Sequence, residues 1–107
     1  MSARRPIAPL GKAERDEALE ALPAWSYDGD GGDGGGDGGA ITRTFTFPDF
    51  SRAFAFMTRA AMVAERMDHH PEWTNVYGTV IVRLTTHECD GVSERDVAMA
   101  KVLDGFA

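Results

Sequence analysis

The stretch Ile41-Thr-Arg-Thr-Phe-Thr-Phe47 alternates, and at Pro48-Asp49 the apolar spacing changes from that of a strand to that of a helix. Ile41, Phe45 and Phe47 fall on one face and Thr42, Thr44 and Thr46 on the other, the pattern of a half-buried β-strand. Pro48 fits the first turn of a helix, and the Asp49 carboxylate favours the positive end of the helix dipole. Phe50, Ala53, Phe54, Met57, Ala60, Ala61 and Ala64 then recur at helical spacing and predict one broad apolar face. A strand and a helix that each bury one side have to cover each other, so the chain is expected to build layers.

The remaining segments extend that scheme. Lys12 to Leu22 carries Ala13, Ala18, Leu19 and Leu22 among charged residues and predicts a short, weakly amphipathic helix that Pro23 stops. Trp25-Ser-Tyr27 begins a strand, and positions 28–39 hold only aspartate and glycine, which predicts a flexible solvated loop lengthening the first hairpin. Asp28, Asp30 and Asp33 resemble a calcium loop only in part, because Gly39 stands where the bidentate glutamate belongs. Pro71 disfavours helical geometry at His70, so the long helix is expected to end before His69-His70. Trp73–Tyr77 and Thr79–Thr86 read as a hairpin meeting at Gly78, with Val80, Val82 and Leu84 on one face and His87 just beyond. Ser93 caps a last helix expected to bury Val97, Ala100, Val102 or Leu103, and Phe106. The order α-β-β-α-β-β-α predicts an α+β fold, a four-stranded antiparallel sheet with three helices packed on one face, in a single domain over residues 1–107.

Composition narrows the classes of function. Eleven basic residues against seventeen acidic ones give a formal charge of −6, which disfavours direct contact with nucleic acid because phosphate needs a basic patch. No apolar stretch suits a membrane span, a secretory signal or a transit peptide. The lone Cys89 leaves neither an internal disulfide nor a cysteine zinc site, in keeping with a reducing, cytoplasmic setting.

All three histidines, His69, His70 and His87, fall within nineteen consecutive positions, with Glu65, Asp68, Glu88 and Asp96 nearby. Imidazole titrates near neutrality, so one ring can give a proton while another takes one, and a carboxylate behind a ring fixes its tautomer. Two chemical readings follow. One is proton transfer, such as dehydration of a carbinolamine, where an acid protonates the departing hydroxyl and a base strips the adjacent nitrogen. The other is a divalent-metal site of histidines and a carboxylate, against which stands the lack of any histidine pair at the helical interval of common zinc motifs. A third possibility assigns the histidines to surface and capping roles.

Glu65-x-x-x-His69-His70-Pro71-Glu72-Trp73, Asn75-Val76-Tyr77, Thr86-His87-Glu88-Cys89 and Val92-Ser93-Glu94-Arg95-Asp96 together resemble the signature of the pterin-4a-carbinolamine dehydratases. The resemblance continues upstream through Phe47-x-Asp49-Phe50-x-Arg52-Ala53-Phe54-x-Phe56-Met57-Thr58-Arg59. It implies dehydration of 4a-hydroxytetrahydropterin to quinonoid dihydropterin in tetrahydrobiopterin recycling, with no metal and no cofactor. It further implies that His69, His70 and His87 are the catalytic histidines, with His69 and His87 together forming the acid/base pair, in either order, and His70 helping to hold the pterin. Glu65, Pro71, Trp73 and Asp96 are implied as substrate-binding neighbours, each with a structural alternative: solvated helix residue, helix stop, core anchor and capping partner of Ser93.

The chain departs from that pattern at Thr74, where relatives commonly carry an aromatic residue, and in its long Gly/Asp turn. Relatives form dimers and tetramers, so a homodimer or homotetramer is expected. Some animal relatives serve as dimerisation cofactors of a homeodomain transcription factor, which makes a regulatory protein-interaction role the competing function.

Overall fold

A computed structural model describes residues 6–29 and 38–107. Helix α1 (Lys12–Glu20), strands β1 (Ser26–Asp28) and β2 (Ala40–Thr46), helix α2 (Phe50–Met67), strands β3 (Glu72–Val76) and β4 (Thr79–Leu84) and helix α3 (Glu94–Asp104) follow one another, with a 3₁₀ turn at His87–Cys89. The sheet runs β1-β2-β4-β3 with every pair antiparallel, and the three helices lie on one face of it, as the order of elements predicts. Of the Gly/Asp run, only Asp28, Gly29, Gly38 and Gly39 belong to the described residues; the expectation of a flexible loop falls on positions outside them.

Register carries the core. Phe45 stands opposite Val80 and Ile41 opposite Leu84, so the apolar faces of β2 and β4 coincide under the helices. Phe56 of α2 meets both Phe45 and Phe47, with ring centroids 4.4 and 5.2 Å away, and Trp25 meets Phe45 edge-on at 6.0 Å. Burying each such side chain stabilises the fold by about 2 kcal/mol. Trp25 Nε1–H also donates to Asp104 at 2.7 Å, tying the start of the sheet to α3.

Two details of packing, in α2 and α1, differ from the sequence expectation, while α3 follows it with Met99 added. Helix α2 buries Ala53, Phe56, Ala60, Val63 and Ala64, while Phe50 and Phe54 stay 48% and 55% exposed and Ala61 is exposed. The helix thus carries two neighbouring apolar stripes, and only one of them faces its own sheet. In α1 Ala13 is exposed and Arg15 is buried, because the Arg15 guanidinium lies 3.7 Å from the centre of the Tyr27 ring. In α3 Met99, Ala100 and Leu103 form the buried edge, Val97 and Phe106 are half-buried, and Val102 points outward.

Two backbone features aim the site. Helix α2 ends in a 6→1 and 5→2 turn: His69 N–H donates to Ala64 O at 3.1 Å, Asp68 N–H donates to Glu65 O at 3.3 Å, and Asp68 takes the left-handed φ of 50°. This turn swings His69 out of the helix and under α3. At the other end of β3, the chain reverses through Tyr77-Gly78. A Cβ on Gly78 would stand 2.3 Å from the Phe47 carbonyl oxygen, so only glycine lets this turn dock where β2 runs into α2.

Candidate active site

His69 is 7% exposed, and its Nε2 lies 2.6 Å from Asp96 Oδ1. Asp96 is fully buried, and its other oxygen is also engaged: Oδ2 accepts from Ser93 N–H at 2.8 Å and from the Thr86 hydroxyl at 2.7 Å. The first of those contacts is the reciprocal cap of α3, in which Ser93 is the N-cap and Asp96 the third helical residue. One carboxylate therefore starts a helix with one oxygen and orients an imidazole with the other. Both oxygens are occupied within the chain, so Asp96 acts on His69 and has no open face for a substrate.

Thr86 carries the network to the third histidine. Its hydroxyl lies 2.6 Å from Ser93 Oγ and bonds Asp96, while its backbone pairs with Gly91 in both directions, at 2.9 and 3.3 Å. Positions 87–90 form the loop closed by that clasp, and Asp90 in left-handed geometry ends the 3₁₀ turn. His87 projects from this loop with 85% of its side chain exposed and its Nε2 3.6 Å from Glu72 Oε2. Glu72 opens β3 two residues after His70, so the His87 loop and the 69–72 segment stand side by side. Glu72 also approaches Arg83, its cross-strand neighbour, at 3.4 Å, and Arg83 Nε approaches Asp28 at 3.5 Å.

His70 is exposed, and its Nε2 lies 2.6 Å from Glu65 Oε1, one turn back on α2. Pro71 and Trp73 are half-buried, Trp73 packing against the core beside Val82. Asp68 serves as the left-handed cap of α2. Glu88 pairs with Arg95 at 2.9 Å. Burial pushes the Cys89 thiol above its ordinary range, and the nearby Asp96 charge adds to that effect. No three histidine, cysteine, aspartate or glutamate side chains among the described residues converge as a set of metal ligands.

Sequence reasoning missed two contributors. Thr86 joins the two halves of the network through a hydroxyl, and nothing about a threonine at a strand end announces that. Glu72 was legible in principle, since counting the hairpin back from Gly78 sets it across from Arg83.

The fold and site thus define an α+β layer protein that holds imidazoles beside carboxylates where a helix meets a strand and where a strand meets a helix. The family model for pterin 4 alpha carbinolamine dehydratase matches residues 8–106, and this chain belongs to that family. A protein of Rhizorhabdus wittichii, provisionally named a pterin-4-alpha-carbinolamine dehydratase, is 57% identical over 101 residues, covering 94% of this chain and 97% of its own. A relative in Novosphingobium aromaticivorans with the same provisional name is 51% identical, with the same coverage of both chains. The crystal structure of a transcriptional coactivator/pterin dehydratase from Brucella melitensis superposes with a TM-score of 0.80 at 48% identity, over 92% of this chain and 97% of that one.

Proposed function

We propose that this chain dehydrates 4a-hydroxytetrahydropterin to quinonoid dihydropterin, the activity of its family, with His69 as the base and His87 as the acid. The observation that carries the assignment is the fully buried Asp96 behind His69. A carboxylate that already accepts two hydrogen bonds on Oδ2 takes Nε2–H of His69 as the donor to Oδ1. That tautomer leaves Nδ1 with a lone pair to receive a proton.

In the reaction the C4a–O bond breaks as a proton reaches the leaving hydroxyl, and N5 loses its proton as C4a=N5 forms. Atoms balance as quinonoid dihydropterin plus water. His87, exposed on its clasped loop, delivers the first proton, and Nδ1 of His69 takes the second. His70, steadied by Glu65, binds the pterin, with Pro71 and Trp73 beside it. Asp96 holds His69 and does not touch the substrate. The single Cys89 supports a reducing, cytosolic setting.

Self-association is part of the same reading. Phe50, Phe54 and Ala61 lie along the α2 stripe that its own sheet leaves uncovered, with half-buried Met57 at its edge, and the Phe50 and Phe54 rings touch at 5.7 Å between centroids. A stripe spaced four, three and four residues apart suits packing against the same helix of another copy. Light scattering should give a dimer or tetramer, and Phe54→Glu should lower the mass.

The test of the activity is stopped-flow dehydration with the wild type, His69→Ala and His87→Ala. Each variant should lose on the order of a hundredfold or more in kcat, the range for a positioned proton donor or acceptor. Variants that keep wild-type rates would remove both histidines from the reaction.

A further inference from the structure

Thr86 touches both halves of the acid/base network, and the protons its hydroxyl can give and take fix how. The hydroxyl donates to Asp96 Oδ2 at 2.7 Å and has no second proton to give. The 2.6 Å contact with Ser93 Oγ is therefore made by the Ser93 hydroxyl donating to Thr86 Oγ1, and Arg95 N–H in turn donates to Ser93 Oγ at 3.2 Å. A directed chain results, from the first turn of α3 through two hydroxyls to the carboxylate that holds His69. Ser93, Thr86 and Asp96 are all buried, so bulk water does not replace a member that is lost.

The same residue is the root of the His87 loop. Its N–H donates to Gly91 O at 2.9 Å, and its carbonyl accepts from Cys89 N–H and Gly91 N–H at 3.2 and 3.3 Å. His87 is the next residue in the chain, so its backbone starts one peptide unit, about 3.8 Å between Cα atoms, from the residue seated on Asp96. A shift of Thr86 against Asp96 thus carries His87 with it and changes its distance from His69. Thr85 offers a contrast: its buried hydroxyl donates to Gly39 O at 2.8 Å and ties the same strand end to the chain just before β2.

Resting on the dehydratase reading, we propose that Thr86 is a positioning residue for the reaction, its hydroxyl fixing the separation between the proposed acid His87 and the proposed base His69. It acts through Asp96 on one side and through its own backbone on the other. The branched methyl restricts χ1, which keeps the hydroxyl pointed at Asp96. Acid and base held in productive geometry lose about a hundredfold in rate for a displacement near 1 Å, so a modest loosening at Thr86 reads out as a loss in kcat.

The test is steady-state dehydration by the full chain with Thr86→Val, Thr86→Ser and Thr85→Val, each assayed well below its unfolding midpoint. Thr86→Val keeps the shape and removes the hydroxyl, and should lower kcat about thirtyfold with KM within about twofold of wild type. Thr86→Ser keeps the hydroxyl and frees χ1, and should return kcat to within about threefold. Thr85→Val removes a buried hydroxyl bond one residue away, and should lower the unfolding midpoint while keeping kcat within about twofold. If Thr86→Val does not fold, Thr86→Cys carries the test, since a thiol is a weaker donor in the same place and should give a smaller loss of the same kind. An unchanged kcat in the variant that folds, or a loss confined to KM, overturns the positioning role. So does a Thr86→Ser or a Thr85→Val as slow as Thr86→Val, because the effect would then belong to packing at the strand end and not to the hydroxyl on Asp96. Absence of wild-type turnover would instead sink the dehydratase reading itself.

Discussion

Each of the three histidines stands next to a carboxylate, yet the pairs belong to two different settings. His69 and Asp96 meet at 2.6 Å with side chains 7% and 0% exposed, and His70 and Glu65 meet at the same 2.6 Å with side chains 56% and 79% exposed. His87 stands farther from Glu72, at 3.6 Å, on the outermost surface. Equal distance does not mean equal role. The buried pair is part of the scaffold, since Asp96 also starts α3 and holds Thr86, whereas an exposed pair contributes about 0–1 kcal/mol and leaves its imidazole able to move. In the proposed mechanism that difference divides the work, a base held in one tautomer and an acid at the solvent edge doing separate tasks.

The strongest way to break the comparison is to remove one carboxylate from each setting, Asp96 and Glu72, in turn. Asp96→Ala leaves the Ser93 N–H, the Thr86 hydroxyl and the His69 ring without their shared acceptor, and should cost about 3 kcal/mol in urea unfolding. Glu72→Ala should change stability by less than about 0.5 kcal/mol, because its partners stay in water. Similar losses for both would erase the distinction between the settings.

The histidines themselves give the next largest effect. His69→Ala leaves one Asp96 oxygen buried and unpaired and should destabilise the fold by about 2 kcal/mol, while His87→Ala should unfold at the wild-type midpoint. Activity should fall in both, so stability and rate separate in one variant and not in the other. Glu65→Gln should raise KM a few-fold with kcat nearly constant, because it loosens His70 without touching the proton path.

The smallest effect concerns Cys89, which lies on the loop between the two settings. Burial raises its folded pKa above the unfolded value, so the folded state holds the thiol proton more tightly. Its contribution to stability is present below the unfolded pKa and fades as pH rises through the folded one. Alkylation followed by mass spectrometry should proceed more slowly than for a free thiol of ordinary pKa near neutrality, and should speed up at alkaline pH. Alkylation as fast as a free thiol would mean that the Thr86–Gly91 clasp opens readily.

Much of the fold was legible because its signals are local. The change of period at Pro48, the Pro71 stop, the Gly78 turn and the Ser93 cap are each written within a few residues, and together they predict the four strands and three helices. Packing was less legible. Both apolar stripes of α2 satisfy the same spacing, and nothing in the helix alone says which one its own sheet covers. Arg15 reads as a surface charge until Tyr27 is known to lie beneath it. At the candidate site, the three histidines and Asp96 came from the sequence, the latter through family resemblance. The double use of Asp96 did not, since its contact with His69 spans twenty-seven residues and depends on how the turn after α2 swings beneath α3.

Asp96 sets the proposed tautomer of His69, and ¹⁵N NMR of the histidine rings reads it directly. In the neutral form, His69 should carry its proton on Nε2 with Nδ1 unprotonated, and His87 should show a rapidly averaged mixture. A neutral His69 protonated on Nδ1 would leave no lone pair for the substrate proton and would contradict its assignment as the base.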